Sequence, residues 1–388
     1  MKLKSLLISA TCALFFHGLL GIENENASLR GSFSNARLAF VEKKVAKVAF
    51  MGGSITEMNG YRPMIAEWLE GKFPETKFDF INAGISSTCS TTGAFRLRRD
   101  VLDHGPIDLF FIEFAVNDDQ DAGHSKEACI RGMEGIIRQM RMKSPKTDLV
   151  VTYFVNPGML KQLQEGKDPL PMAAHEKVLE KYGVSRVHLA RELAHQIKKG
   201  KFSWEKFGGT HPKKPGNRLC ADMHIEMLTK AWSGKTKEAT EKKTFPPDPM
   251  DRNSYFKGRF LSPEKVSLTD GWKFSEPDWK SLPGGKRGRY LGRPLLHCES
   301  PEKPILIKFE GQAIGAFVSA GPDAGILEFT IDGKRKGSID LHHRYSKGLH
   351  YPRTVMFAHD LPSGPHEIEI SIKSDKRSAA RILEFCIN

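Results

Sequence analysis

Between Ala46 and about Trp232, short apolar runs alternate with helical segments, and this alternation restricts the fold more than any other feature. The apolar runs are continuous, which is typical of strands buried on both faces. They occur at Val48–Met51, Phe78–Ile81, Leu109–Phe114, Leu149–Phe154 and, more weakly, Val184–Leu189. The helical segments are Tyr61–Lys72, Gly93–Leu102, Ser125–Met142, Met172–Lys181, Ala190–Lys199 and one after Pro215. The pattern predicts an α/β domain with a parallel sheet covered by helices on both faces.

The C-terminal third has a different character. The segment from Ser233 to Pro249 is rich in Lys, Thr and Glu and then in Pro, which indicates a linker. Short strands separated by turn signals follow at Ile305–Phe309, Ala316–Val318, Ile326–Ile331, Thr354–Phe357 and Ile368–Ile372. We expect an antiparallel β-sandwich of roughly jelly-roll type. The predicted boundaries are 46–235 for the α/β domain, 236–255 for the linker and 256–388 for the sandwich.

The N-terminus is typical of an export signal. Lys2 and Lys4 precede an almost wholly apolar run from Leu6 to Gly21, which is short for a membrane span. We therefore predict a signal peptide over residues 1–21, an N-terminal extension over 22–45, and a periplasmic or secreted protein without stable membrane insertion.

The formal charge is +13, but the basic residues are spread along the chain, so we interpret them as a solvated surface and expect no nucleic-acid partner. Outside the signal, five cysteines remain, an odd number that argues against a complete disulfide framework. Most are expected to be buried small apolar residues, and Cys298 and Cys386 are the pair that could form a disulfide.

Four residues lie where strands end or where the last helix begins. Ser54 follows Gly52 and Gly53 after the first strand, Gly84 follows the second, and Asn117 follows the third. His211 precedes the last helix, within Gly208–Pro212. The carboxyl ends of parallel strands share one edge of a sheet, where ligands bind, so these residues should meet there.

These blocks, in this order, resemble the SGNH (GDSL-type) hydrolase superfamily over about Val48 to Trp232. The resemblance implies a flavodoxin-like three-layer sandwich and an esterase. It implies that Ser54 is the nucleophile and His211 the general base. The Ser54 and Gly84 N–H groups and the Asn117 amide would then form the oxyanion hole.

The sequence departs from the family pattern at two glycines. Gly53 stands where the common block has Asp, and Gly208 stands where the family usually has the Asp that orients the histidine. Three groups are candidates for that orienting role: a backbone carbonyl near Gly208 or Gly209, which we favour, then Glu205, then Glu113. Glu113 shares a strand face with Asn117 by the alternation of side chains, although a buried carboxylate more often satisfies nearby N–H groups.

The sandwich supplies a second cluster of interest. His342–Tyr345 and His350–Arg353 bring His343, Tyr345, His350 and Tyr351 together as candidates for binding a carbohydrate or an anionic group. Trp272 and Trp279 are better explained as core residues. Asp118, Asp119 and Asp121 are interpreted as a solvated acidic loop, so no metal and no cofactor are expected.

The sequence thus predicts an exported serine esterase that hydrolyses acyl esters, chiefly O-acetyl groups on carbohydrate, with an acylated small molecule or polysaccharide as its substrate. A lipase or general carboxylesterase and an acyltransferase are alternatives that would use the same serine. A carbohydrate-binding or surface protein with an inactive site is the alternative outside the enzyme class, and Gly208 is the residue that motivates it.

Overall fold

The structure is a computed structural model that describes residues 26–234, 243, 245–299, 303–373 and 376–388. The predicted signal peptide, the start of the N-terminal extension and much of the predicted linker lie outside these residues. Among the described residues, no helix is both long enough and apolar enough to span a bilayer.

The N-terminal domain is built on one six-stranded sheet. Its strands are β1 (Ala27–Ser28), β2 (Val45–Gly52), β3 (Lys77–Gly84), β4 (Leu109–Ile112), β5 (Asp148–Thr152) and β6 (Ser185–Val187). They are ordered β1-β6-β5-β4-β2-β3, and all pairs are parallel except that of β1 with β6. Without β1, this is the doubly wound order of flavodoxin-like folds, so the predicted fold class is confirmed.

Helices connect these strands. They are α1 (Ser34–Leu38), α2 (Ser54–Glu57), α3 (Tyr61–Lys72), α4 (Ser90–Asp100), α5 (Ala115–Gln120), α6 (Lys126–Lys143), α7 (Pro157–Gln164), α8 (Leu170–Tyr182), α9 (Leu189–Lys198), α10 (Trp204–Phe207) and α11 (Lys214–Ala231). The short helices α2, α5, α7 and α10 were not predicted, because one or two turns carry too little periodicity to be recognised.

The strand order reverses between β2 and β4, and the candidate residues follow these two strands. Both strands are buried, and Phe50 of β2 stacks on Phe111 of β4 with ring centroids 4.6 Å apart. In open α/β sheets, the crevice beyond the strand ends at such a switch point is where ligands bind. The sequence of apolar runs therefore fixes where Ser54 and Asn117 emerge.

The C-terminal domain contains two antiparallel sheets. One has the strands β10 (Ile305–Gly311), β12 (Ile326–Ile331), β13 (Arg335–Asp340) and β15 (Gly364–Ile372). The other has β7 (Arg259–Leu261), β8 (Trp272–Ser275), β9 (Leu295–Cys298), β11 (Ile314–Ala320), β14 (Tyr351–Ala358) and β16 (Ala380–Ile387). Apolar side chains of both sheets pack into one core, and the predicted β-sandwich is confirmed.

Strand β16 was missed by the sequence reasoning, although it pairs with three neighbours. Its Arg381 is a charged residue in a central strand, a pattern that argues against burial. The guanidinium is fully buried because Asp323 and Glu299 accept its hydrogen bonds, at 2.8 and 2.6 Å respectively. Hydrogen bonds to carboxylates distant in the sequence thus allow a strand with a charged side chain to lie in the centre of a sheet.

The described part of the segment that joins the domains packs on α6. Arg138 donates hydrogen bonds to the carbonyls of Pro246 and Pro247 at 3.0 and 3.1 Å. The buried Glu134 accepts the N–H groups of Met250 and Asp251. Residues 246–251 are therefore fixed to the surface of the N-terminal domain.

All five cysteines in the described part of the chain are buried, and none forms a disulfide. Cys298 faces Ala380 and Cys386 faces Gly315 on paired strands, so the two thiols are not opposite each other. The suggested pairing of Cys298 with Cys386 is therefore wrong.

Candidate active site

Ser54 begins a one-turn helix directly beyond the end of β2. Gly53 is the N-cap of α2, and the Ser54 N–H belongs to the first turn, whose donors have no acceptor within a helix. His211 lies between α10 and α11, and its Nε2 is 2.7 Å from Oγ of Ser54, at an exposed position. The fold thus brings the predicted nucleophile and the predicted base into hydrogen-bond contact.

The Asn117 side chain lies against the Ser54 turn. Asn117 is buried in the first turn of α5, and its Nδ2 donates to Oδ2 of Asp121 at 2.7 Å. An amide nitrogen carries two hydrogens, so one remains for another acceptor. A Cβ on Gly53 would lie 2.2 Å from Oδ1 of Asn117, so the end of the Asn117 side chain occupies the space beside this glycine.

Gly84 lies on the same edge of the sheet, opposite Gly52 in the register of β2 and β3. Its N–H donates to Oδ1 of Asn82 at 3.0 Å. The third predicted oxyanion donor is therefore near the site but already engaged. The predicted donors that are not engaged by another described group are the Ser54 N–H and the second amide hydrogen of Asn117.

Glu113 lies beneath the Ser54 turn and is 1% exposed. Its Oε1 accepts hydrogen bonds from the Gly53 N–H and from Oγ1 of Thr56, both at 2.8 Å. Its Oε2 has no hydrogen-bond partner, and burial raises the pKa of this carboxyl to about 7. Glu113 therefore contacts the backbone of the nucleophile turn and does not contact His211.

The second nitrogen of the His211 ring, Nδ1, meets none of the three groups proposed to orient it. Glu205 is exposed at the start of α10, where the backbone and Ser203 lower its pKa. Within the described residues, no carbonyl of Gly208 or Gly209 accepts a hydrogen bond from the ring. The bond to Ser54 is therefore the ring's observed polar contact.

The family's usual aspartate cannot simply be restored at position 208. Gly208 ends α10 with φ of 107°, in the region that favours glycine. A Cβ there would lie 2.3 Å from the backbone nitrogen of Lys213. The loop that carries His211 is therefore built around this glycine.

Residues 50–219 match the model of the GDSL-like lipase/acylhydrolase family. The N-terminal domain belongs to this family. It is therefore a domain of the class that hydrolyses ester bonds, and this family assignment confirms the resemblance drawn from the four blocks.

Two solved structures share both domains with this chain. One is a two-domain esterase active on acetylated mannans, crystallised with mannopentaose, with a TM-score of 0.75 and 18% identity. The other is a two-domain esterase of the same description without the sugar, with a TM-score of 0.74 and 18% identity. Each alignment covers 94% of this chain and 97% of the other. At this identity, the similarity establishes the fold, including the appended sandwich. No curated protein matches the sequence.

The sandwich contacts the segment that carries Asn117. The Tyr351 hydroxyl donates a hydrogen bond to Oδ1 of Asp121, the carboxylate that holds Asn117. Arg344 donates to the carbonyl of Gln120 in the same loop. Tyr351 is 1% exposed, and burial raises the pKa of Asp121. A side chain of the second domain is therefore two hydrogen bonds away from the predicted oxyanion hole.

The acidic loop is therefore not solvated as predicted. Asp118 is fully buried and Asp121 is 8% exposed. Both carboxylates bind side chains of other elements, since His175 contacts Asp118 and Tyr351 contacts Asp121. Spacing alone made these residues look like a surface turn, because the partners that bury them are distant in sequence.

The four residues predicted to bind substrate differ in exposure. Tyr345 is 40% exposed and is the most accessible of them. His343 stacks on Tyr351, and burial, followed by the charges of Arg353 and Arg344, lowers the pKa of His343 to about 4. His350 is buried, with Nε2 3.1 Å from the carbonyl of Pro283. His350 and Tyr351 therefore contact protein in this structure, and His343 is uncharged at neutral pH.

Two arginines of the sandwich reach the nucleophile side and were missed by the sequence reasoning. Arg289 donates to Oε1 of Glu57 in α2 at 2.9 Å, and Arg287 donates to Oγ of Ser87 at 2.8 Å. Trp272 and Trp279 are buried, as expected for core residues, and Tyr290 is buried too. The basic run Lys286–Arg289 indicates surface charge, but nothing in the sequence tells which carboxylate it meets.

Proposed function

We propose that this chain is a serine esterase that removes acyl groups, chiefly O-acetyl groups, from carbohydrate by way of an acyl-enzyme. The observation that carries the proposal is the 2.7 Å contact between Oγ of Ser54 and Nε2 of His211. The contact lies at the switch point of a doubly wound sheet, where ligands bind. Two donors suited to an oxyanion lie beside it, the Ser54 backbone N–H and the Asn117 side-chain amide.

In the proposed reaction, Oγ of Ser54 attacks the ester carbonyl while Nε2 of His211 accepts the hydroxyl proton. The carbonyl electrons move to oxygen, where the Ser54 N–H and the Asn117 amide stabilise the negative charge. Collapse of this intermediate breaks the bond to the alcohol oxygen, which takes the proton from His211. Water then repeats the sequence on the acyl-enzyme and releases the acid and Ser54.

Gly84 joins the oxyanion hole in this proposal only when its N–H turns from Asn82 to the substrate. Until then, two donors act rather than three. Loss of one such donor typically costs ~10²–10³ in turnover, so a site with two donors still stabilises the oxyanion substantially.

O-acetylated carbohydrate is favoured as the substrate by two observations. The solved two-domain neighbour, which shares the fold over 94% of this chain, is active on acetylated mannans. Tyr345 is an exposed aromatic residue on the sandwich, in the loop that contacts the Asn117 segment, and aromatic faces suit sugar rings. We also propose export through residues 1–21.

The bare Nδ1 of His211 supports the second candidate, a carbohydrate-binding protein that hydrolyses little or nothing. A histidine without an orienting partner can still accept a proton, but its ring samples more orientations. The two candidates make opposite predictions for a small activated ester, which needs no carbohydrate recognition.

The experiment compares wild type with Ser54→Ala on p-nitrophenyl acetate and p-nitrophenyl octanoate, followed by acetate release from acetylated mannan and acetylated xylan. We expect hydrolysis of the acetyl ester that depends on Ser54, and faster acetate release from mannan. Equal slow hydrolysis by both proteins would reject the esterase. Preference for the octanoyl ester would favour the lipase alternative, and acyl transfer to added sugar in excess of hydrolysis would favour the acyltransferase.

A further inference from the structure

Behind the Asn117 turn lies a cluster of two thiols, two imidazoles and one carboxylate. One trio is formed by Cys89, Asp118 and His124, and a second by Asp118, Cys129 and His175. Within each trio, the potential ligand atoms lie within 4.8 Å of one another. Cys89, Cys129, Asp118 and His175 are buried, and the His124 side chain is 14% exposed. The residues come from four segments, so the fold assembles the cluster.

The hydrogen bonds of Asp118 explain part of this cluster. Its Oδ1 accepts the Ser90 N–H at 2.8 Å, and its Oδ2 lies 2.7 Å from Oγ of Ser90 and 2.8 Å from Nε2 of His175. These bonds fix the carboxylate at the start of α4. They do not involve the two thiols or His124, although Sγ of Cys89 lies 3.5 Å from Oγ1 of Thr92.

His124 is the group whose polar atoms are not satisfied. Its Nε2 lies 3.4 Å from Oγ1 of Thr91, which is a weak contact for an N–H donor. Its buried Nδ1 has no hydrogen-bond partner, although it lies 3.4 Å from Oδ1 of Asp118. A buried polar atom without a partner is costly and needs an explanation.

The spacing fits ligands arranged around one ion. With bonds of about 2.0–2.2 Å to nitrogen and oxygen, two ligands of a tetrahedral zinc ion are separated by about 3.3–3.5 Å. The distance from Nδ1 of His124 to Oδ1 of Asp118 is 3.4 Å. The same distance is long for a hydrogen bond, so it suits two ligands of one ion better than a donor and an acceptor.

A cavity gives the cluster access from the junction of the domains. It has a volume of about 390 Å³, and its walls include Cys89 and His124 from one domain and Tyr351 and Arg353 from the other. Cys89 and His124 therefore line a space that a small ion can enter, and Cys129, which is not in the cavity wall, shares Asp118 with them through the trio that includes His175.

We propose that Cys89, Asp118, His124 and Cys129 bind a zinc ion. Two thiolates, an imidazole and a carboxylate are the ligand types that zinc takes in closed structural sites. Binding releases the thiol protons, and the hydrogen bond from His175 orients the Asp118 carboxylate. Because Asp118 follows Asn117 directly, the ion would fix the segment that carries the predicted oxyanion donor. The proposal does not rest on the esterase activity.

The test measures zinc by mass spectrometry in untagged full-length protein, purified from zinc-supplemented growth without chelators. We expect about one zinc per chain in wild type and its loss in Cys89→Ser and His124→Ala. Cys220→Ser is the matched control, because Cys220 is also a buried thiol beside an imidazole, with Sγ 3.8 Å from Nδ1 of His224. That variant should retain the ion.

A second measurement uses wild type alone and so does not depend on whether the variants fold. After removal of zinc, added Co²⁺ should produce the near-ultraviolet absorption of thiolate–cobalt bonds, saturating at about one equivalent. A wild-type protein that holds no zinc and shows no such absorption would overturn the proposal. A disulfide between Cys89 and Cys129, detected by peptide mapping, would overturn it too, since it removes both thiolates.

Discussion

The two sides of the candidate site are built differently. The Ser54 turn is held from beneath by Glu113, from the side by Asn117 and from the second domain by Arg289, which binds Glu57 of α2. His211 is exposed and lies in the loop that begins at Gly208, where the one-turn helix α10 ends. Among the described residues, Nδ1 of this proposed base has no hydrogen-bond partner. The comparison teaches that this chain holds the proposed nucleophile and oxyanion donors by several contacts and the proposed base by few.

The prediction with the largest expected effect compares the loss of kcat when the proposed base, on the loose side, is removed with the loss when the proposed nucleophile, on the fixed side, is removed. Residues of a nucleophile–base pair act as a unit, so Ser54→Ala and His211→Ala should each lower kcat by at least ~10³-fold, which is about 4 kcal/mol. The measurement is kcat on p-nitrophenyl acetate for both variants and for the double variant. A His211→Ala enzyme that keeps a tenth of wild-type turnover would contradict the assignment of the base.

The next test concerns the carboxylate beneath the fixed side. The folded-state pKa of Glu113 is raised to about 7 by burial, above its ordinary value of 4.5. The folded protein therefore binds the extra proton, so stability from this group is fully present below pH 4.5 and is lost as the pH rises through 7. Over that range the loss is roughly 3 kcal/mol.

Urea unfolding of wild type and Glu113→Gln at pH 5 and pH 8 measures this loss. We expect wild type to lose about 2.5 kcal/mol more than the variant between the two pH values, since glutamine does not titrate. The comparison cancels any constant effect of the substitution. An equal loss in both proteins would contradict the raised pKa.

On the loose side, Gly208→Asp tests whether the missing acid can be restored. The substitution forces a Cβ to 2.3 Å from the Lys213 nitrogen and places a non-glycine residue at φ of 107°. We expect about 2 kcal/mol lower stability and no gain in kcat. Thermal unfolding and p-nitrophenyl acetate turnover check this. Gly209→Asp is the control for the clash alone, since Gly209 also has a positive φ, of 92°, but a Cβ there meets nothing within 4 Å. A rise in kcat in Gly208→Asp would show that the loop accommodates the family's acid.

Tyr351→Phe asks whether the second domain helps to fix the oxyanion hole. Removing its hydroxyl leaves Asp121 with one fewer donor, so we expect kcat to fall about tenfold, or about 1.4 kcal/mol, with KM little changed. Tyr345→Phe, in the same loop but exposed, is the control. In an Asn117→Ala background, Tyr351→Phe should have no further effect on kcat. A tenfold loss in that background would mean that Tyr351 does not act through Asn117.

The sequence predicted the positions of the strands at the site better than the contacts of its carboxylates. The strands that carry Ser54 and Asn117 are long apolar runs, so their existence, parallel order and common edge followed from periodicity. The neighbourhood of each carboxylate did not follow. Asp118 and Asp121 were interpreted as solvated because the residues that bury them, His175 and Tyr351, are 57 and 230 positions away. Contacts of that kind depend on packing between distant segments, which local patterns do not encode.

The smallest expected effect is at Glu205, the second candidate for orienting the base. Glu205 is exposed and interacts with Ser203 at the start of α10 rather than with His211. Glu205→Gln should therefore change kcat by less than about twofold, because a charge on an exposed side chain at a helix start is screened by solvent and acts only within that turn. The pH profile of kcat/KM should also keep its wild-type midpoint. A hundredfold loss with an unchanged melting temperature would mean that Glu205 reaches His211 during turnover, and the base side would then be assembled by substrate binding rather than left open.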